Sequence, residues 1–407
     1  MTMRYRRFGR TELQIPVFSC GGMRYQDGWK DKSLDEVDAD NQKNLEATIH
    51  RSLEVGIHHI ETARGYGCSE RQLGLVLPTF PREDLIVQTK IGPDDDPGKF
   101  ISNFEDSLAR LQLDHVDLLA IHGINDDATL EQSIRPGGCF EAAQKVREQG
   151  KARFIGLSTH GPRDVITRAI EYGRPRTGEG FDYVNLHWYY IFQHNWAAIE
   201  AAAERDMGLF IISPSDKGGK LYAPPDKLRD LCQPLSPLVF NDLWCLREQK
   251  VHTLSLGAAR PTDFDEHLAA VEMMDECDAL LPKVAAKLEA AWEAVAPKHL
   301  RSPFDCGLPD HRAAPGNVNV PLIVWLGLLT KAFDMAEYGR MRYNLLGNAG
   351  HWFPGQNVDK LDEDDNEAKL REMLKAHPAG PDAVIDLLHE TRDLLKGEEV
   401  QRLSQSE

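Results

Sequence analysis

Cysteine is sparse and unpaired in this chain. The seven residues Cys20, Cys68, Cys139, Cys232, Cys245, Cys277 and Cys306 are odd in number and nowhere form a CxxC pair. That argues against a disulfide framework and fits reduced thiols in the cytoplasm. No stretch reaches the roughly 18 consecutive apolar residues that would span a bilayer. The basic start, MTMRYRRFGRTELQIPVF, has neither the apolar centre nor the small-residue cleavage site of a secretory leader. Basic charge is in deficit, with 47 Lys and Arg against 64 Asp and Glu and a formal net charge of -17. No long Lys/Arg cluster escapes that average, so a surface for nucleic acid is not expected. The His58-His59 pair and His252 lack companions at ligand spacing, so no metal centre is expected either. A glycine-rich GxGxxG after an early strand is also missing, which disfavours an open dinucleotide-binding sheet.

What is present is alternation. Eight short apolar runs, at 17–20, 57–60, 85–89, 116–121, 153–157, 183–187, 209–213 and 252–256, are separated by segments of helical period. Leu45, Ile49 and Leu53 form one apolar stripe, and Phe104, Leu108 and Leu111 another. Eight strand-helix units predict an α/β fold, a closed TIM (β/α)8 barrel of about 250 residues. Residues 4–17 are expected to form a hairpin across its floor. Beyond about Asp275 helical patterns dominate, broken by a Pro/Gly-rich stretch from Ser302 to Val320. Two amphipathic helices are expected, at Lys369 to Lys375 and Asp382 to Lys396. The chain is therefore expected to divide into a barrel over 1–275 and a mainly helical appendage over 276–407.

Three of the predicted strands end in ionisable groups. IHHIETARGYG delivers Glu61 and Tyr66 into one turn, LIVQT runs into Lys90, and VDLLAI runs into His122. Strand ends of a parallel barrel converge on one pocket, and a buried strand has little reason to end in charge three times over unless those ends line a site. A phenol has an ordinary pKa of about 10, and a neighbouring ammonium would lower it. Tyr66 is thus expected to deliver a proton, Lys90 to tune it, Glu61 to hold Lys90, and His122 to orient an oxygen.

These segments resemble the aldo/keto reductase superfamily, whose Asp, Tyr, Lys and His tetrad sits on TIM-barrel strand ends. Tyr66, Lys90 and His122 occupy the matching places in ETARGYGCSERQLG, VQTKIG and DLLAIHGIN. The opening RYRRFGRTELQIPVFSCGGM and the segment KVREQGKARFIGLSTHG are similar too. The resemblance covers about residues 3 to 275. It extends, through IISPSDKGGKLYAPP and EYGRMRYNLLGNAGHWFPG, to a subgroup with a ferredoxin-like C-terminal extension. Two departures stand out. Glu61 replaces the family's Asp, one methylene longer. Beyond Cys306 there is no cysteine, so the four-thiolate cluster of that extension cannot form here.

The resemblance implies NADP(H) at the barrel mouth. Ser158 and Asn185 match the nicotinamide-binding positions, with His160 where Asn is common and Asn185 where Gln is common. From the residues themselves, Ser213 to Lys220 reads as a turn-rich loop whose glycines would let backbone N–H groups face a pyrophosphate, with Ser213 and Lys217 as its candidate contacts. In SLGAARPTDFDEHLAA, Gly257 allows close backbone approach, Arg260 is placed for a 2'-phosphate, and Asp265 and His267 fall near the adenine. Trp188, Tyr189 and Tyr190 are expected to wall the pocket or to pack against the appendage, and Trp352 and Phe353 to anchor the appendage. The expected activity is NADP(H)-dependent interconversion of a carbonyl and an alcohol on a polar small molecule, sugar-like or a cyclic ketone. The alternative is a non-catalytic or regulatory cofactor-binding protein whose C-terminal domain docks a protein partner.

Overall fold

The computed structural model describes residues 2–173 and 180–401. It contains two compact units, one of Met1–Gly218 with Asn241–Asp275 and the other of Gly219–Phe240 with Glu276–Glu407. A single boundary near 275 therefore does not describe the chain, because 219–240 leaves the first unit and groups with the second.

The first unit begins with an antiparallel hairpin, β1 (Tyr5–Arg7) and β2 (Gln14–Pro16). Eight parallel strands follow: β3 (Phe18–Gly21), β4 (His59–Glu61), β5 (Ile86–Ile91), β6 (Val116–His122), β7 (Ala152–Ser158), β8 (Tyr183–Leu186), β9 (Gly208–Ile211) and β10 (Thr253–Leu256). β10 pairs with both β9 and β3, so the sheet closes into a barrel in chain order. The predicted TIM barrel is borne out, each predicted run carrying a strand shifted by one or two residues at its ends.

Helices on the outside follow the apolar stripes. Asp38 caps the helix Ala39–Glu54 by accepting from the Asp40 and Asn41 amides at 3.0 and 2.8 Å. Its buried face is Leu45, Thr48, Ile49 and Ser52. Asp96 caps Pro97–Leu111, Pro97 takes the first turn where no amide partner is needed, and Phe100, Phe104, Leu108 and Leu111 face the sheet.

The interior of the barrel is closed from below. Phe8 and Ile15 of the hairpin pack in one cluster with Ile86, Leu118, Ala120, Tyr183 and Phe210. Phe8 lies so close to β9 that a Cβ on Gly208 would fall 2.6 Å from its ring. The hairpin is therefore the barrel's floor, and Ile86, Leu118, Ala120, Tyr183 and Phe210 mark the inward face of their strands.

The second unit is helical, built from Asp226–Cys232, Cys277–Val295, Val320–Phe333, Ala336–Tyr343, Asn366–Met373 and Pro381–Leu395. Val320–Phe333 is buried on nearly every side, which suits a sequence, VPLIVWLGLLTKAF, without a polar stripe. Gly327 lets it approach Pro381–Leu395: a Cβ there would stand 2.0 Å from Thr391 Oγ1. Phe353 is buried under the Arg342 guanidinium, 4.1 Å from its ring centroid, while Trp352 is only half-buried. No helix among the described residues is long and apolar enough to cross a membrane.

Candidate active site

Alternation along the strands converts the core into a site. Residues two apart face the same way, so beyond the apolar inner layer, towards the carboxyl ends of the strands, come Glu61, Lys90, His122, Ser158, Asn185 and Ser255. All are polar, and all but half-buried His122 are buried. The sheet register carries them together: Glu61 lies beside Gln88 on β5, His122 opposite Ser158, and Ser158 opposite Asn185.

Lys90 Nζ is the hub. It forms an ion pair with Glu61 Oε1 and donates to the Thr62 carbonyl at 2.9 Å and to Tyr66 Oη at 3.2 Å. It also sits 4.5 Å from the Tyr66 ring centroid. Glu61 Oε2 accepts from Ser255 Oγ at 3.1 Å, so the extra methylene of Glu61 is taken up by reaching across to β10. The Tyr66 ring meets His122 edge to face at 5.7 Å and 81°, with Trp29 on another side at 6.2 Å. Tyr66 is held by a turn whose amides bond to Ala63 and Lys90 carbonyls, at 3.0 Å each. Gly67 is required there: its φ is +49°, and a Cβ would fall 1.8 Å from the Gly28 carbonyl oxygen.

Burial dominates the electrostatics. It pulls the Lys90 ammonium well below its ordinary range and pushes the Tyr66 phenol up. The expectation that Lys90 depresses the Tyr66 pKa is thus corrected: desolvation outweighs the ammonium's pull, and the phenol stays protonated at neutral pH. In the layer below, burial drives His59 down to about 3, so that imidazole is neutral.

Of the residues expected to hold a cofactor, Ser158 and Asn185 stand beside the tetrad. Ser158 Oγ and both side-chain amide atoms of Asn185 are buried without a hydrogen-bond partner. A carboxamide, which donates and accepts, would satisfy them; orphaned buried polar atoms of this kind are costly unless a ligand or water meets them. The residues present therefore fit the nicotinamide amide. Ser213, with φ +51°, opens a single helical turn, Pro214–Lys217, within the segment expected to be turn-rich. Gly257 stands against Arg24 and Asp216, which pair at 3.1 Å, and a Cβ there would meet Arg24 Cδ at 3.1 Å.

The third segment divides. Arg260 is exposed, bonded to Asp263 at 3.1 Å, and Asp265 is exposed and paired with Arg51 at 3.0 Å. His267 is not available to an adenine. Its ring is fully buried, hydrogen-bonded to Asp242 and packed on Phe18. Two residues along a helix turn the side chain about 200°, so Asp265 and His267 cannot share a face. The stripe Phe264, His267, Leu268 and Val271, spaced i, i+3, i+4 and i+7, was the signal that His267 is core. Trp188 is buried too, with its ring 4.1 Å from Trp244 and 5.4 Å from Trp196. Tyr189 is buried with its hydroxyl on the Ile212 carbonyl at 2.7 Å.

Sequence reasoning missed three features. Ser255 as a partner of Glu61, the Arg24–Asp216 pair, and a cluster of His160, His187 and Lys217 each depend on strands far apart in sequence. No group of three His, Cys, Asp or Glu side chains among the described residues could hold a metal ion.

Comparison with known proteins bears on the family and the fold. Residues 18–219 match the aldo/keto reductase family. L-galactose dehydrogenase of Arabidopsis thaliana is 36% identical over 140 residues, covering 32% of this chain and 43% of that protein. L-glyceraldehyde 3-phosphate reductase of Escherichia coli is 26% identical over 176 residues, covering 39% and 46%. This chain therefore spans less than half the length of both relatives. D-threo-aldose 1-dehydrogenase of a Pseudomonas species is 27% identical over 252 residues, covering 54% and 70%. An aldo-keto reductase from Bacillus halodurans in its holo form superposes with a TM-score of 0.54 at 20% identity, over 68% of this chain and 96% of that one. A thermostable aldo-keto reductase bound to the inhibitor epalrestat gives a TM-score of 0.55 at 23% identity, over 68% and 100%. These two structures speak to the fold alone. Residues 18–219, on a closed eight-stranded barrel, thus form an aldo/keto reductase family domain.

Proposed function

We propose that the protein is an NADP(H)-dependent oxidoreductase that interconverts a carbonyl and an alcohol on a polar, sugar-related small molecule. The observation that carries this reading is the chain Glu61–Lys90–Tyr66 beside His122, formed at the carboxyl ends of β4, β5 and β6. A bound nicotinamide would supply or accept the hydride. The chain's own residues would handle the oxygen and the proton. Tyr66, kept neutral by burial, donates its hydroxyl proton to the substrate oxygen as charge develops there. Lys90 donates a hydrogen bond to the phenolic oxygen and stabilises it once the proton has left. Glu61 and Ser255 keep Lys90 from turning away. His122, half-buried at the rim, is placed to orient the substrate oxygen.

Ser158 and Asn185 would hold the carboxamide, and Ser213 and Gly257 would let backbone approach the pyrophosphate. Arg260, exposed at the entry to the helix Phe264–Met273, is the group suited to a 2'-phosphate. The substrate class rests on the relatives named above, whose names specify galactose, glyceraldehyde phosphate and an aldose.

Calorimetric titration with NADPH beside NADH, followed by turnover on a panel of aldoses and cyclic ketones, tests this. Binding selective for NADPH and turnover on a polar carbonyl are expected. A protein that binds neither dinucleotide contradicts the reading.

A further inference from the structure

The cluster of His160, His187 and Lys217 has no place in the reaction described so far. Lys217 Nζ lies 2.9 Å from His160 Nδ1 and 3.2 Å from His187 Nε2, and those two ring nitrogens are 2.6 Å apart. Tyr189 fixes the arrangement. Its hydroxyl donates to the Ile212 carbonyl at 2.7 Å, so its oxygen can only accept from His187 Nδ1, which must carry the hydrogen. His187 Nε2 is then a lone-pair acceptor, aimed at Lys217. The 2.6 Å contact needs one hydrogen, so His160 Nδ1 donates to His187 Nε2, and the Lys217 ammonium stands within reach of the pair. The adjacent acid along the chain, Asp216, pairs with Arg24 at 3.1 Å.

Position decides what that charge acts on. His160 follows Ser158 by two residues, and His187 follows Asn185 by two. His160 and His187 therefore stand just past the carboxyl ends of β7 and β8, each two residues beyond the orphaned hydroxyl or amide. The inference rests on the proposed reading that Ser158 and Asn185 hold the nicotinamide carboxamide. A nicotinamide ring carries a positive charge when oxidised and none when reduced.

We propose that His160, His187 and Lys217 make the site discriminate between the two redox forms of its nicotinamide cofactor, favouring the reduced one. The ammonium repels the oxidised ring and leaves the reduced ring alone. Attraction of Lys217 for the pyrophosphate is common to both forms, so it cancels in the ratio of their affinities. The ratio therefore isolates the effect on the ring, and it fits turnover in the direction of carbonyl reduction, since the oxidised product is the form released.

The test is titration of the full chain with NADPH and with NADP+ at fixed ionic strength and neutral pH. It compares wild type, Lys217→Met, Lys217→Gln and Lys217→Arg. A unit charge within about 8 Å in a partly wetted site is worth roughly a factor of ten. The wild type is expected to prefer NADPH. Both neutral variants should lose about ten-fold of that preference, and Lys217→Arg should keep it. Equal weakening of both forms in the neutral variants would assign Lys217 to the pyrophosphate and overturn the proposal, as would an unchanged ratio. If the wild type binds neither form, the cofactor reading itself falls and the inference falls with it.

Discussion

At the scale of single residues, the site is governed by what burial does to Lys90 and Tyr66. Glu61 is the counterion that makes a buried lysine tolerable, and an uncompensated buried charge costs several kcal/mol. Glu61→Gln removes that compensation while keeping the hydrogen bond to Ser255 possible. Burial already holds the Lys90 pKa well down, so the variant should carry a largely neutral lysine and turn over about 10- to 100-fold more slowly, with dinucleotide affinity little changed. Steady-state kinetics beside a binding titration separates the two effects; a turnover equal to wild type would show that the ion pair does not support Tyr66. The placement of Tyr66, Lys90 and His122 at one end of the sheet was legible because each lies at or shortly past an apolar run that reads as a strand in the alternating pattern. The direction of the Tyr66 shift was not legible, since it depends on how much protein surrounds the phenol.

The elements show where periodicity succeeds and where it stops. Strands of the barrel could be read from beta-branched runs, and the hairpin at 5–16 from its position before the first of them. His267 was misplaced for want of the helical face it shares with Phe264, Leu268 and Val271. The loop bearing Tyr66 depends on Gly67, which combines a positive φ with contact against the Gly28 carbonyl. Gly67→Ala is therefore expected to destabilise the first unit by about 1–3 kcal/mol and to reduce turnover by displacing Tyr66. Thermal unfolding beside kinetics checks this, and a variant with unchanged midpoint and activity would refute it. His59 on β4 offers a pH test. Its pKa falls from an ordinary value of about 6.5 when unfolded to about 3 when folded. The unfolded chain thus binds the extra proton between those limits, so stability is lost as pH falls from about 6.5 towards about 3. His59→Asn should flatten that part of the stability curve; an unaltered slope would mean His59 does not contribute.

For the whole molecule, composition located a change of texture near Asp275 but could not reveal that 219–240 leaves the barrel unit. That grouping depends on tertiary contacts such as Lys287 Nζ with the Gln233 carbonyl at 2.6 Å, between segments 54 residues apart. The polar ring inside the barrel is likewise a product of closure: Ser255 meets Glu61 only because β10 returns to β3, which lies beside β4. The pairing of β4, β5 and β6 as neighbours gathers Tyr66, Lys90 and His122 into the one group that we propose delivers the proton, and that proposal is the central claim. Its most direct test is Tyr66→Phe, assayed for carbonyl reduction and for NADPH binding in the same preparation. The account predicts that turnover falls by at least about a hundred-fold while NADPH affinity stays within about two-fold of wild type. Turnover preserved in the variant would contradict it.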